Sequence, residues 1–172
     1  GYQAKGSVAY RNGTRKYTVM EKLLPKTEII HIIPPYHNPS KAFTLFQQVL
    51  AIRKQVFVIG QQVDPAIEQD GKDSSLEHFV VLRGNNPAGC LRFRPLNSSV
   101  VKLERIAILS PFRGLGLGKK LVQAAVENAA QENYKWLTMN AQHYLLDYYE
   151  NLGFIAVGKP FYEANIKHIK ME

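Results

Sequence analysis

The sequence predicts an α+β fold, a mixed α/β layer structure in one principal domain, and three observations predict it. Short strand-like apolar runs recur along the chain, two long stretches carry helical spacing, and a glycine-rich turn joins a strand to a helix. With 172 residues, 45% of them apolar and 21% charged, the chain can bury a proper core.

The elements follow in order. "TEIIHIIPP" places four isoleucines within five positions before a double proline, which suits a first strand that stops abruptly. Asn38 and Pro39 read as a helix start, with proline at the first helical position. Phe46, Val49, Leu50, Arg53 and Phe57 continue at helical spacing, so the helix is expected to reach about Val58. "GQQVDPAIEQDGKDSS" is polar and rich in turn formers, a loop or a short helix. Three strand-like runs come next, "EHFVVLR", "AGCLRFRPL" and "VVKLERIAIL", separated by turn residues. After "SPFRGLGLGKKL", Leu121, Val122, Ala125, Val126 and Ala129 mark an amphipathic helix. "YKWLTMNA" is a strand, "HYLLDYYENLG" a short helix closed by Gly153, and "FIAVGKPF" and "KHIKM" are final strands.

Composition narrows the function. The single cysteine, Cys90, excludes an intrachain disulfide and an all-cysteine metal site, and fits a reducing, cytoplasmic setting. No metal is expected. No uninterrupted apolar run of about 18 residues reads as a membrane span. The chain starts at Gly1 rather than Met, so a native start and any targeting segment can precede it. The net charge of +8 is concentrated early: Lys5, Arg11, Arg15, Lys16, Lys22 and Lys26 face only Glu21 before position 28. Residues 1–27 therefore read as a basic extension of uncertain order, either a solvated tail or a patch for a phosphorylated partner or nucleic acid.

The glycine turn invites three phosphate-binding readings. A P-loop needs G-x-x-x-x-G-K-[ST], but Arg113 stands at its first glycine and Lys120 at its Ser/Thr position. A dinucleotide fingerprint needs G-x-G-x-x-G, and Gly114, Gly116 and Gly118 have the wrong spacing. The third pattern, R-x-x-G-x-G, is met by Arg113, Gly116 and Gly118, between an apolar strand and a helix. Amides of such a loop and first helical turn point at an anion, helped by the helix dipole.

"LERIAILSPFRGLGLGKKLV" resembles the acetyl-CoA-binding segment of GNAT N-acetyltransferases. "YYENLGF" further along is similar to that family's F-Y-x-x-x-G-F ending, in the right order. "RKQVFVIGQQVDPAIEQDGKD", "LERIAI", "MNAQ" and "PFYEANIKHIKM" extend the likeness to the ElaA-like branch. The resemblance covers roughly Ser40 to the C-terminus. It implies a GNAT domain over 28–172, with a mostly antiparallel twisted sheet flanked by helices.

It also implies a reaction: acetyl transfer from acetyl-CoA, as co-substrate, to a primary amine. The cofactor's diphosphate would lie on amides of Arg113, Gly114, Leu115, Gly116, Leu117, Gly118 and Lys119. Ile106, Ala107 and Ile108 would pair with the pantetheine arm and offer an amide to the oxyanion. Glu104, two residues before Ile106 and expected on the same strand face, is a candidate base for the ammonium. Its other reading is a partner for Arg105 or Arg92. Tyr149 matches the tyrosine that serves relatives as general acid, and could equally pack with Leu145 and Leu152. Tyr148 reads as a cofactor wall and Gln142 as a cofactor contact.

On the acceptor side the resemblance implies Arg53, Gln61, Arg92, Glu163 and His168. Arg53 and Arg92 could hold an anionic group, so a phosphorylated amino sugar such as glucosamine-6-phosphate is the specific expectation. The expected partner is thus a small-molecule amine, neither membrane nor nucleic acid, and a homodimer is allowed. The rival is a non-catalytic acyl-CoA- or nucleic-acid-binding module. Two positions depart from the pattern. Gly60 stands where ElaA-like relatives have Glu, which bears on the acceptor, and Pro111 sits one place closer to the loop arginine than usual.

Overall fold

The computed structural model describes residues 2–8, 17–22 and 25–172. Two strands, β1 (Tyr2–Val8) and β2 (Tyr17–Lys22), pair antiparallel in a sheet of their own. The rest of the extension expected before position 25 lies outside the described residues.

The isoleucine run is β3 (Thr27–Ile32), and it ends before the prolines. Helix α1 (Lys41–Arg53) begins later than the sequence suggests. Ser40 is the cap, its hydroxyl accepting from the Phe43 amide, so Pro39 precedes the helix rather than opening it. Beyond Arg53 the helix widens into a π turn, Lys54–Ile59, before α2 (Pro65–Glu68), which Asp64 caps. By length and composition the helical run Lys41–Ile59 would pass for a membrane span. Its apolar side chains Leu45, Phe46, Val49, Ile52 and Val56 instead pack on Ile32, Val80, Cys90 and Ala107 of the sheet.

Strands β4 (Glu77–Arg83), β5 (Asn86–Pro95) and β6 (Val100–Ile108) match the three predicted runs. Helix α3 (Leu117–Gln131), β7 (Trp136–Gln142), the short α4 (Leu146–Glu150), β8 (Ala156–Glu163) and β9 (Ile166–Met171) complete the chain. The seven strands are ordered β3-β4-β5-β6-β7-β9-β8, and only β6 and β7 run parallel. Period-two alternation sends Val80 and Cys90 toward α1. It sends Phe79, Val81, Leu91 and Phe93 toward Leu117, Leu121 and Ala125 of α3. Each of these Val, Leu and Phe side chains contributes roughly 1.5–3 kcal/mol by leaving water.

One irregularity matters for the site. Cys90 faces Ala107 and Arg92 faces Glu104, so β6 spends one residue more than β5 between those pairs. The extra residue is Arg105, at φ 53°. Leu103 consequently belongs to the α3-side core and Ala107 to the α1-side core, although four positions apart. Glu104 lies opposite Arg92 on the α1 side, whereas Ile106 packs on the α3 side. The expected shared face of Glu104 and Ile106 is therefore corrected: an even spacing preserves the face only while the pleat is unbroken.

Gly89, next to this region on β5, has no room for a side chain. An added Cβ would stand 2.3 Å from Ile108 Cδ1 and 2.6 Å from the Ala107 carbonyl oxygen. Gly89→Ala is expected to destabilise the domain by about 2–3 kcal/mol in urea denaturation, because backbone must move. A loss below about 0.5 kcal/mol would mean that β5 and β6 can separate freely here.

Candidate active site

Strands β6 and β7 pair only where Val100–Lys102 face Trp136–Thr138. Past that point they part, and a cavity of about 990 Å³ opens between Leu103–Leu109 on one side and Met139–Gln142 on the other. The segment following α1, the glycine turn, α4 and the β8–β9 turn close its remaining walls.

The glycine turn sits at the mouth of α3. Gly114 and Gly116 adopt φ 74° and 71°, which glycine takes without steric cost, and Gly116 is the residue that caps the helix. Lys120 N donates to the Gly116 carbonyl, so the amides immediately before it are the unpaired donors of the first turn. No acidic residue lies in that turn, and Lys119 and Lys120 are exposed beside it. Arg113 Nε donates to the Ile108 carbonyl at 3.1 Å, tying the turn back to β6. Gly118 lies under Tyr148. A Cβ there would stand 2.9 Å from the Tyr148 hydroxyl, which covers this glycine.

Of the residues expected to meet the cofactor, Ile106, Ala107, Ile108, Arg113, Gly114, Gly116, Leu117, Gly118, Gln142 and Tyr148 line the cavity. Leu115 and Lys119 do not; Leu115 points to solvent. Tyr149 lines the cavity although only 5% exposed, and its ring meets Phe154 and Tyr148 edge-on. Burial raises its pKa well above the ordinary tyrosine value, so the hydroxyl holds its proton. Both the acid and the packing readings of this residue thus have a geometric basis.

The acceptor-side expectation is corrected at two arginines. Arg53 is fully buried, its Nε on Glu68, its Nη1 on Asp73 and its Nη2 on the Glu68 carbonyl at 3.0 Å. Arg92, 1% exposed, donates to Asp70 at 2.8 and 2.7 Å, to Asp73 at 2.9 Å and to Glu104 at 3.1 and 2.7 Å. Neither guanidinium reaches the cavity, and both are saturated by carboxylates that pin the α2 segment to the sheet. The Arg92–Glu104 pair is the one the sequence offered; the other partners, Glu68, Asp70 and Asp73, come from a polar segment 15 to 22 residues away, where spacing alone cannot show them.

Glu104 touches the cavity but belongs to the same network. Besides Arg92 it accepts from Arg94 at 2.8 Å, and Lys102 Nζ lies 3.5 Å away. Burial pushes its pKa up, but the Arg94 and Arg92 hydrogen bonds outweigh that and hold it below the ordinary carboxylate value. A carboxylate so held is a weaker base than a free one.

Gln61, Glu163 and His168 do line the cavity. The amides of Gln61 and Gln142 exchange reciprocal hydrogen bonds of 3.2 and 2.9 Å, joining the segment after α1 to β7. Glu163 accepts from Asn140 Nδ2 at 3.0 Å. Gly60 is on the wall beside Gln61. Sequence reasoning missed Asn140, Lys102, Arg105 and Tyr144 as wall residues. Asn140 was within reach, two positions before Gln142 on one strand and so on the same face.

Comparison with known proteins agrees with this geometry. Residues 46–172 match the acetyltransferase (GNAT) domain family. The uncharacterized N-acetyltransferase YjcF of Bacillus subtilis is 33% identical over 121 residues, spanning 70% of this chain and 86% of that protein. ElaA of Escherichia coli is 26% identical over 140 residues, 78% of this chain and 91% of that one. The ElaA crystal structure superposes with a TM-score of 0.72, covering 85% of this chain and 98% of its own. An acyl-CoA N-acyltransferase from Pseudomonas aeruginosa gives a TM-score of 0.70 at 27% identity, with 85% and 98% covered.

Proposed function

Because the chain belongs to the GNAT acetyltransferase family, we propose that it transfers an acetyl group from acetyl-CoA to the primary amine of a small molecule. One observation carries the reading. The free amides at the start of α3 and the parted β6 edge border a single cavity, which offers a diphosphate site and a strand-pairing site together. The bulge at Arg105 interrupts the ladder where Ile106 and Ala107 line that cavity, so a backbone amide there can face a developing oxyanion. Tyr149 supplies a hydroxyl toward the leaving sulfur. The domain proper is taken as 28–172, and the buried lone thiol of Cys90 suits a cytoplasmic setting.

The finer reading, a phosphorylated amino sugar such as glucosamine-6-phosphate, now rests on Lys102 and Arg105, the cationic side chains on the cavity wall beside Glu104. Thermal melting with acetyl-CoA, followed by thiol release with a panel of amines, tests both levels. Acetyl-CoA at about 100 times its Kd is expected to stabilise the protein by about 2.7 kcal/mol. Glucosamine-6-phosphate is expected to outperform glucosamine; equal rates would remove the phosphate from the reading. Stabilisation without thiol release from any amine would favour a non-catalytic acyl-CoA-binding module.

A further inference from the structure

We propose that His168 is the group that takes the proton from the incoming ammonium. The inference rests on the acetyl-transfer reading and assigns a catalytic step to a β9 side chain. His168 faces Gln142 across the β7–β9 pair and Phe161 across the β8–β9 pair, and it lines the same cavity as Tyr149 and Ile106.

The tautomer follows from a single contact. Nδ1 lies 2.7 Å from the Ile166 carbonyl oxygen, which can only accept, so Nδ1 carries the hydrogen. In the neutral ring the lone pair is then on Nε2. No described residue bonds Nε2. The ring is held by this hydrogen bond and by stacking on Phe161, with centroids 6.1 Å apart and planes 24° apart. An imidazole fixed through one nitrogen, with the other free, has a lone pair oriented to accept a proton.

The carboxylates on the wall each have a partner. Glu104 is held by Arg92 and Arg94, Glu68 is buried against Arg53, and the exposed Glu163 accepts from Asn140. The proton balance closes without a further reactant. The ammonium gives one proton to Nε2, and its nitrogen lone pair then forms the C–N bond as the C–S bond breaks. A second proton leaves the nitrogen and ends on the sulfur by way of the Tyr149 hydroxyl. The proton on His168 passes to solvent before the next turnover.

The experiment compares wild type and His168→Gln with two matched probe sets. One is a panel of primary alkylamines; the other is their alkoxyamine counterparts, in which oxygen replaces the CH2 next to nitrogen. Alkoxyamines are already neutral at pH 7.5 and need no base. His168→Gln is expected to lower thiol release about 10²–10³-fold with alkylamines and to change alkoxyamine rates only a few-fold. Equal loss with both sets, or no loss with either, overturns the assignment. A measurement on the unmodified protein makes the test independent of folding of the variant. Long-range proton–nitrogen spectra are expected to show neutral His168 with its hydrogen on Nδ1, and an Nε2–H tautomer would overturn the proposal. Wild type that binds acetyl-CoA but acetylates neither set overturns the acetyl-transfer reading itself. That result is recognisable because it appears before any substitution.

Discussion

Replacing Arg92 with methionine is expected to destabilise the domain by about 3–5 kcal/mol, the cost of leaving buried charge without its partner. Methionine keeps much of the length of the arginine stem, so the lost element is the guanidinium. That group alone joins Asp70, Asp73 and Glu104, which come from the α2 segment and from β6. Asp73 retains Arg53, and Glu104 retains Arg94 and Lys102, but Asp70 is left with the Lys72 amide at 3.2 Å and with Arg105 at 3.8 Å. Urea denaturation at neutral pH reads the loss. A change below about 1 kcal/mol would show that the network is wet enough for water to replace the arginine.

The same variant carries a pH signature. Burial pushes the Asp73 and Glu104 carboxyls up, but hydrogen bonds from Arg53, Arg94 and Arg92 leave both below their ordinary values. The hydrogen bond from Arg92 lowers Asp70 as well. Groups depressed in the folded state stabilise it fully above their unfolded pKa near 4, and that stability is lost as pH falls through the folded pKa. Arg92→Met removes much of this contribution. The gap between wild type and variant should therefore be widest above about pH 5 and shrink as the pH falls below about 4. A gap that widens on acidification would contradict the assignment.

The second large effect is on turnover. Tyr149→Phe is expected to lower kcat about 10²-fold, at the lower end of what a positioned acid supplies, while acetyl-CoA binds as before. The substitution deletes one oxygen and keeps the ring against Phe154 and Tyr148, so packing is preserved. Because burial raises the pKa of the hydroxyl, the proton is present throughout the neutral range. Tyr148→Phe is the informative comparison: its hydroxyl covers Gly118 at the start of α3, so its loss belongs to the affinity for acetyl-CoA. Single-turnover rates and calorimetric binding separate the two. An unchanged rate for Tyr149→Phe would assign this residue to the core.

How much of this was legible beforehand depends on the range of the interaction. The strands "EHFVVLR" and "VVKLERIAIL" follow local apolar pattern, and β4 and β6 form within a residue or two of those runs. The glycine turn was legible for the same reason, since Gly114 and Gly116 answer to backbone conformation at their own positions. Arg53 misled because its acceptor role was implied by resemblance, and resemblance does not show its partners. Its partners Glu68 and Asp73 arrive from a polar segment with no periodic pattern. Glu104 misled because period two counts residues, and the bulge at Arg105 adds one.

The sequence by itself determined the elements from β3 onward, their order, the glycine turn before α3 and the family. Each of these is encoded in contiguous residues whose propensities agree with one another. Tertiary structure alone decided which side chains face the cavity. Strand divergence after Lys102 opens it, the bulge turns Glu104 away from Ile106, and the buried carboxylates withdraw Arg53 and Arg92 from any ligand. Those outcomes depend on register and on charge pairing between distant segments. A buried guanidinium takes whichever carboxylates the fold brings to it, and no local pattern states which these will be.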